Sequence, residues 1–130
     1  MAEEEGGEAE SGPLVGVVGP CGAGKSLLVA ALKRQEIRAQ EIAQEHSYVP
    51  DMWRRITDPD LLVYLDVSRE VAEERQGNPL RIVMWEQMVT RLAHAREHAD
   101  VIVPTDHLAP DEVVSEIKGS LAGLLTGHRG

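Results

Sequence analysis

With 130 residues, 42% of them hydrophobic, the chain has enough apolar material for one modest core and too little for a second independent domain. Its net charge of −9 is front-loaded: Glu3, Glu4, Glu5, Glu8 and Glu10 supply five of those charges before any Lys or Arg, leaving a body of net −4. A mildly acidic body without a basic block argues against a nucleic-acid partner or an anionic membrane surface, both of which need clustered cations to displace counterions.

Residues 1–12 are almost entirely Glu, Gly, Ala and Ser, too polar to offset the entropy of ordering them, and read as a disordered acidic tail before a folded domain over residues 13–126. No apolar stretch approaches the ~20 residues that cross a bilayer, and the start of the chain lacks a signal-peptide pattern. A cytoplasmic protein is expected. The single cysteine, Cys21, cannot form an intramolecular disulfide, which fits a reducing compartment.

Leu14 to Val18 is a continuous apolar run, the signature of a strand buried on both faces of a parallel sheet. From about Lys25 to Gln35 the period changes, with Leu27, Leu28, Ala31 and Leu32 at helical spacing. Ile37 to Ala43 reads as a second strand. Pro50 and Pro59 then bracket a short helical turn carrying Met52, Trp53 and Ile56. Leu61 to Leu65 is the next buried strand, closed by Asp66. Ser68 is a good N-cap for a helix through Arg75, with Glu70 in its first turn and Gly77, Asn78 and Pro79 ending it. A longer helix carries Trp85, Met88, Val89, Leu92 and Ala99 along one side. Val101 to Val103 is a third apolar strand, and Asp111 to Leu125 a closing helix burying Val113, Val114, Ile117, Leu121 and Leu124. Helices alternating with apolar strands predict an α/β fold: about four strands in a small, mostly parallel sheet, with helices on both faces.

The chemistry sits in Gly19, Pro20, Cys21, Gly22, Ala23, Gly24, Lys25 and Ser26, with Leu27 following, between the first strand and the first helix. A phosphate chain needs several donors converging where side chains do not fit, so Gly22 and Gly24 let backbone N–H groups turn inward. The helix N-terminus adds its own N–H groups. Lys25 places an ammonium against the β- and γ-phosphates, and the Ser26 hydroxyl is a ligand for Mg²⁺. The expectation is a three-layer P-loop NTPase fold binding ATP or another nucleoside triphosphate with Mg²⁺. Cys21 invites a redox-switch reading, because a helix N-terminus lowers a thiol pKa, against the plainer one of a small loop-filling side chain.

The chain resembles P-loop small-molecule kinases of the nucleoside and nucleotide (adenylate-kinase-like) type. Besides the loop, the resemblance rests on Leu62 to Ser68 with Glu70 and Arg75 beyond, and on Val101 to Leu108 followed by Pro110, Asp111, Glu112 and Val113. It implies that Arg75 stabilises the transferring phosphoryl group, that Arg69 and Arg81 are further lid candidates, and that Thr105 to Leu108 contacts the base. The family has another strand ending in an acidic residue, and an acceptor-binding helical region, between the loop helix and the Leu62 strand; this chain is shortened there. By pattern Asp66 is the carboxylate serving Mg²⁺ alongside Ser26, while alignment of the segments with the family makes it a turn residue after a later strand; Glu45 and Asp51 are rivals for the metal. Asp51 or His46 is the candidate general base. Tyr48, Trp53 and Trp85 read as core or lid packing, since a small domain without phenylalanine needs its large residues inside. His94 and His98 have the i, i+4 spacing of a metal pair but no evident third ligand. Two functions follow as expectations: an ATP-dependent phosphotransferase acting on a small-molecule acceptor, with Lys25 and Arg75 as its catalytic residues, or a non-catalytic, regulatory nucleotide-binding module. No Asp-x-x-Gly and no Asn-Lys-x-Asp is present to support a switch GTPase.

Overall fold

A computed structural model describes residues 12–127; the acidic tail expected over residues 1–12, Gly12 aside, and the burial expected of Leu124 fall outside what it describes. Four strands, β1 (Val15–Val18), β2 (Ala39–Glu41), β3 (Leu61–Asp66) and β4 (Val101–Pro104), form one sheet in the order β2-β1-β3-β4. Every pairing is parallel. Among the described residues four α-helices accompany them: α1 (Lys25–Arg34), α2 (Arg69–Gln76), α3 (Ile82–His98) and α4 (Pro110–Gly127).

The two-residue pleat sorts the strand side chains onto two faces. Val15, Val17, Leu61, Val63 and Leu65 meet Leu28 and Leu32 of α1 and Val113 and Ile117 of α4. Val18, Leu62 and Tyr64 meet Leu92 and Ala95 of α3, together with Trp53 and Ile42. Both faces of the sheet are therefore covered, which is why β1 is buried along its whole length. Gly16 is required by close packing, since a Cβ there would come within 2.8 Å of Ile42 and Pro59.

Local signals place several boundaries as expected. The Ser68 side chain caps α2 by accepting from the Val71 N–H at 3.2 Å, and Gly77 closes that helix in the left-handed region at φ 74°. Other expectations change. In α3 the buried residues are Met88, Leu92 and Ala95; Val89, expected on the buried side, is exposed, while Ala99, the residue that caps the helix, is partly buried against the core around Trp53 and Leu92. Between Pro50 and Pro59 the chain makes a wide turn over Trp53–Thr57, closed by the Asp58 N–H on the Trp53 carbonyl at 3.0 Å. That turn buries Trp53 and exposes Ile56. Tyr48, expected to pack inside, is 84% exposed, its ring lying 4.4 Å from the Arg91 guanidinium carbon. Among the described residues no helix is long and apolar enough to cross a membrane.

From β1 the chain runs to β2 on one side and then returns to β3 on the other. This change of direction opens a crevice at the carboxyl ends of β1 and β3, the usual ligand position in an open parallel sheet. The glycine-rich loop leaves β1 there.

Candidate functional site

The loop owes its shape to two glycines in the left-handed region, Gly22 at φ 88° and Gly24 at φ 94°. Gly22 is also forced by packing, because a Cβ would lie 2.9 Å from the backbone of Ala72 in α2. The Ala23 N–H turns back to the Pro20 carbonyl at 3.1 Å. No side chain caps α1 and its first turn holds no acidic residue, so its N-terminal N–H groups are left for another acceptor.

Lys25 is buried, and its ammonium donates to the carbonyls of Gly19 at 2.9 Å and Pro20 at 3.2 Å. Its charge partner is Glu45, whose Oε2 lies 3.0 Å away, both side chains being only 5% exposed. Glu45 Oε1 is buried with no hydrogen-bond partner among the described residues. Glu45 is presented by a one-turn 3₁₀ helix, Gln44–His46, and the fully buried Gln44 fixes that turn. Gln44 Oε1 accepts from the Trp53 N–H at 2.8 Å, and its Nε2 donates to the Val49 carbonyl at 2.8 Å. The carboxylate is thus built into the fold opposite the loop lysine.

Ser26 donates to Glu41 Oε1 at 2.8 Å. Glu41 ends β2, and the parallel register that pairs it with Val17 brings it beside the loop. Sequence reasoning missed it. The structure places Asp66, the carboxylate expected to join Ser26, elsewhere. Two-residue alternation puts Asp66 on the face of Leu62 and Tyr64, where its Oδ2 is 3.6 Å from Arg96 of α3, and it does not line the cleft over Ser26. Asp51 is likewise absent from that cleft. It bonds Arg55 at 2.8 Å and approaches Arg54 at 3.9 Å, and the Arg55 hydrogen bond holds its carboxyl below the ordinary range.

Two hollows flank the loop. One is an open cleft of about 410 Å³ bordered by Cys21, Lys25, Ser26, Glu41, Glu45 and His46. The other is a mainly apolar slot of about 170 Å³ between Ala23, Leu27, Leu65, Arg75, Thr105 and Leu108. Leu27, 65% exposed, borders both. Arg75 belongs to the slot: it donates to the Gly22 carbonyl at 3.1 Å, to Thr105 Oγ1 at 3.2 Å and to the Thr105 carbonyl. A role on a transferring phosphoryl group requires its release from these acceptors. Arg69 is tied to Glu73 at 3.0 Å and to the Leu80 carbonyl at 3.3 Å, while Arg81 lies exposed at the start of α3. Thr105 is buried, and Asp106 accepts from the Ser68 N–H at 2.9 Å, which keeps its carboxyl below the usual range. The loop expected at the base thus forms one wall of the slot.

Burial, followed by the Glu45 charge, pushes the Cys21 thiol above its ordinary value. This reverses the lowering expected from the helix terminus. His94 accepts from the Trp53 indole at 3.1 Å and stacks on His98 with ring centroids 4.2 Å apart, so this pair packs around Trp53. A larger open groove of about 430 Å³ beside Tyr48, Val83 and Arg91 contains no loop residue.

A scan against protein-family models gives no match for the chain, and a search of curated proteins gives none.

Proposed function

We propose that the chain binds a nucleoside triphosphate with Mg²⁺ on a P-loop formed by Gly19 to Ser26, and transfers the γ-phosphoryl group to a small hydroxyl-bearing or phosphate-bearing acceptor. The observation that carries this reading is Lys25: a buried ammonium lodged against its own loop's carbonyls and facing an open cleft through a single carboxylate. An anion entering the cleft takes the place of Glu45 on that ammonium. The uncapped α1 N-terminus and the glycine N–H groups complete a cradle for phosphate oxygens.

Ser26 and Glu41 supply a hydroxyl and a carboxylate in contact with each other, a hard oxygen set suited to Mg²⁺. When bound, Mg²⁺ neutralises charge on the phosphate oxygens. The slot walled by Leu27, Arg75, Thr105 and Leu108 suits a flat base, with Arg75 positioned at its rim. Glu45, freed from Lys25, takes the proton of the acceptor hydroxyl. The acceptor oxygen forms its bond to the γ-phosphorus as the bond to the β–γ bridging oxygen breaks, and the nucleoside diphosphate leaves. Asp51, tied to two arginines outside the cleft, is replaced in this role by Glu45, with His46 beside it.

A second reading, a regulatory module that binds nucleotide without transferring phosphate, is favoured by the closed state of Lys25 and Arg75, each held by groups of the chain itself. Incubation with γ-labelled ATP and a panel of nucleosides, sugars and small acids separates the two. Labelled product from any acceptor, abolished in Glu45→Gln, supports transfer. ATP binding with no product across the panel leaves only the module.

A further inference from the structure

We infer that Cys21, Glu45 and His46 form a site for a divalent transition-metal ion of the Zn²⁺ class, with one coordination position open to the cleft. One ligand atom from each of the three residues lies within 4.8 Å of the other two. Cys21 Sγ is 3.7 Å from His46 Nε2, and His46 Nε2 is 3.6 Å from Glu45 Oε2. A tetrahedral ion bonded at ~2.3 Å to sulfur and ~2.0 Å to nitrogen and oxygen sets these edges at about 3.5 Å and about 3.3 Å. The two His46 edges are met within a few tenths of an ångström, and the third, from Cys21 to Glu45, closes from within 4.8 Å by rotation of the half-buried Cys21 side chain.

The second observation is the orphaned oxygen. Glu45 is 95% buried by the exposure of its side chain, and its Oε1 has no hydrogen-bond partner among the described residues although Oε2 is committed to Lys25. A buried carboxylate oxygen without a partner is costly, and a carboxylate that grips the ion with both oxygens, Oε1 together with the Oε2 that faces His46, satisfies it. The donor set chooses the ion: a thiolate and an imidazole exclude Mg²⁺ and Ca²⁺ and suit Zn²⁺. On binding, the S–H bond of Cys21 is exchanged for a metal–sulfur bond and the proton passes to solvent. Thiolate and carboxylate together cancel the ion's double charge, so the ammonium of Lys25 at 3.0 Å from Oε2 faces a neutral centre. The ion joins the glycine loop to the Gln44–His46 turn. Three protein ligands with a vacant fourth position is the pattern of an open zinc site.

The test uses the tag-free full chain without nucleotide, so that its outcome is independent of the phosphate-site reading. Co²⁺ is titrated while the near-ultraviolet thiolate-to-metal charge-transfer band is followed, and Zn²⁺ affinity is then measured against a chromophoric chelator. One Co²⁺ per chain with a thiolate band is expected. Cys21→Ser should abolish the band, and His46→Ala should weaken Zn²⁺ by at least about tenfold, since losing even a partner of a ligand costs about 10–100-fold. His94→Ala/His98→Ala, which removes the stacked pair, should change neither. Absence of the thiolate band in the wild-type chain, undiminished Zn²⁺ affinity in Cys21→Ser, or loss of binding in the His94/His98 variant overturns the site. Circular dichroism of each variant separates lost ligation from lost fold; if His46→Ala unfolds, His46→Gln carries the same comparison.

Discussion

Replacing Glu45 by Gln should make the protein less stable and a better nucleotide binder at the same time. Lys25 and Glu45 are both 5% exposed and 3.0 Å apart, so the substitution removes a buried counter-charge. Breaking such a pair from one side costs about 3–5 kcal/mol. The Gly19 and Pro20 carbonyls stay on the ammonium, and the Gln amide keeps an acceptor of the same shape, which puts the loss near the lower end. Affinity moves the other way. A phosphate that takes over Lys25 sits near the displaced carboxylate, and two unit charges ~6 Å apart at an effective dielectric of ~20 repel by about 2.8 kcal/mol. That corresponds to roughly a hundredfold in Kd, and about tenfold if the carboxylate swings away. Urea unfolding followed by the fluorescence of Trp53 and Trp85 gives the first quantity, and calorimetric titration with MgATP the second. MgATP binding that is unchanged or weaker in Glu45→Gln refutes the idea that Glu45 holds the place of a phosphate.

Glu41→Gln should leave nucleotide binding without metal unchanged and reduce the gain from added Mg²⁺ by at least about tenfold, the worth of one charged hydrogen-bonding ligand; Asp66→Asn should have no such effect. Gly22→Ala places a Cβ 2.9 Å from Ala72 at φ 88°. It should cost about 1–2 kcal/mol from the left-handed backbone alone, with the clash added, in denaturant unfolding. Because burial raises the thiol, the metal-free chain should be alkylated at Cys21 by iodoacetamide with a pH midpoint above that of the same cysteine in the urea-unfolded chain; a folded midpoint at or below the unfolded one contradicts this effect of burial.

The strand, loop and helix over Leu14 to Arg34 were legible because the glycine motif marks its own boundaries and the apolar period changes at Lys25. Glu41 was not. The strand itself was placed within Ile37 to Ala43, and the structure keeps only its Ala39–Glu41 portion; but with only Ala39 buried its facing is weak, and the role of Glu41 depends on a register with Val17 that no local pattern encodes. The signal that could have found it is the acidic residue ending a strand next to the loop, which the resemblance to small-molecule kinases had marked as missing. The place of Asp66 could have been found by counting in twos from Leu62. Glu45 appeared only as one rival among the carboxylates, because its burial is produced by Gln44 bonding to Val49 and Trp53, contacts between loop residues that have no periodicity. Tyr48 was misplaced for the same reason: an aromatic residue in an irregular segment carries no facing information.

The central claim is that Lys25 holds a triphosphate. Removing it alone leaves Glu45 buried without its partner, so the direct measurement compares Glu45→Gln with the double variant Lys25→Ala/Glu45→Gln in calorimetric titrations with MgATP. The single variant should bind, and the double variant should remain folded and bind at least about tenfold more weakly, in line with the loss of charged hydrogen bonds of about 1.5–3 kcal/mol. Equal affinity in the two proteins, or no MgATP binding by the single variant, contradicts the phosphate site.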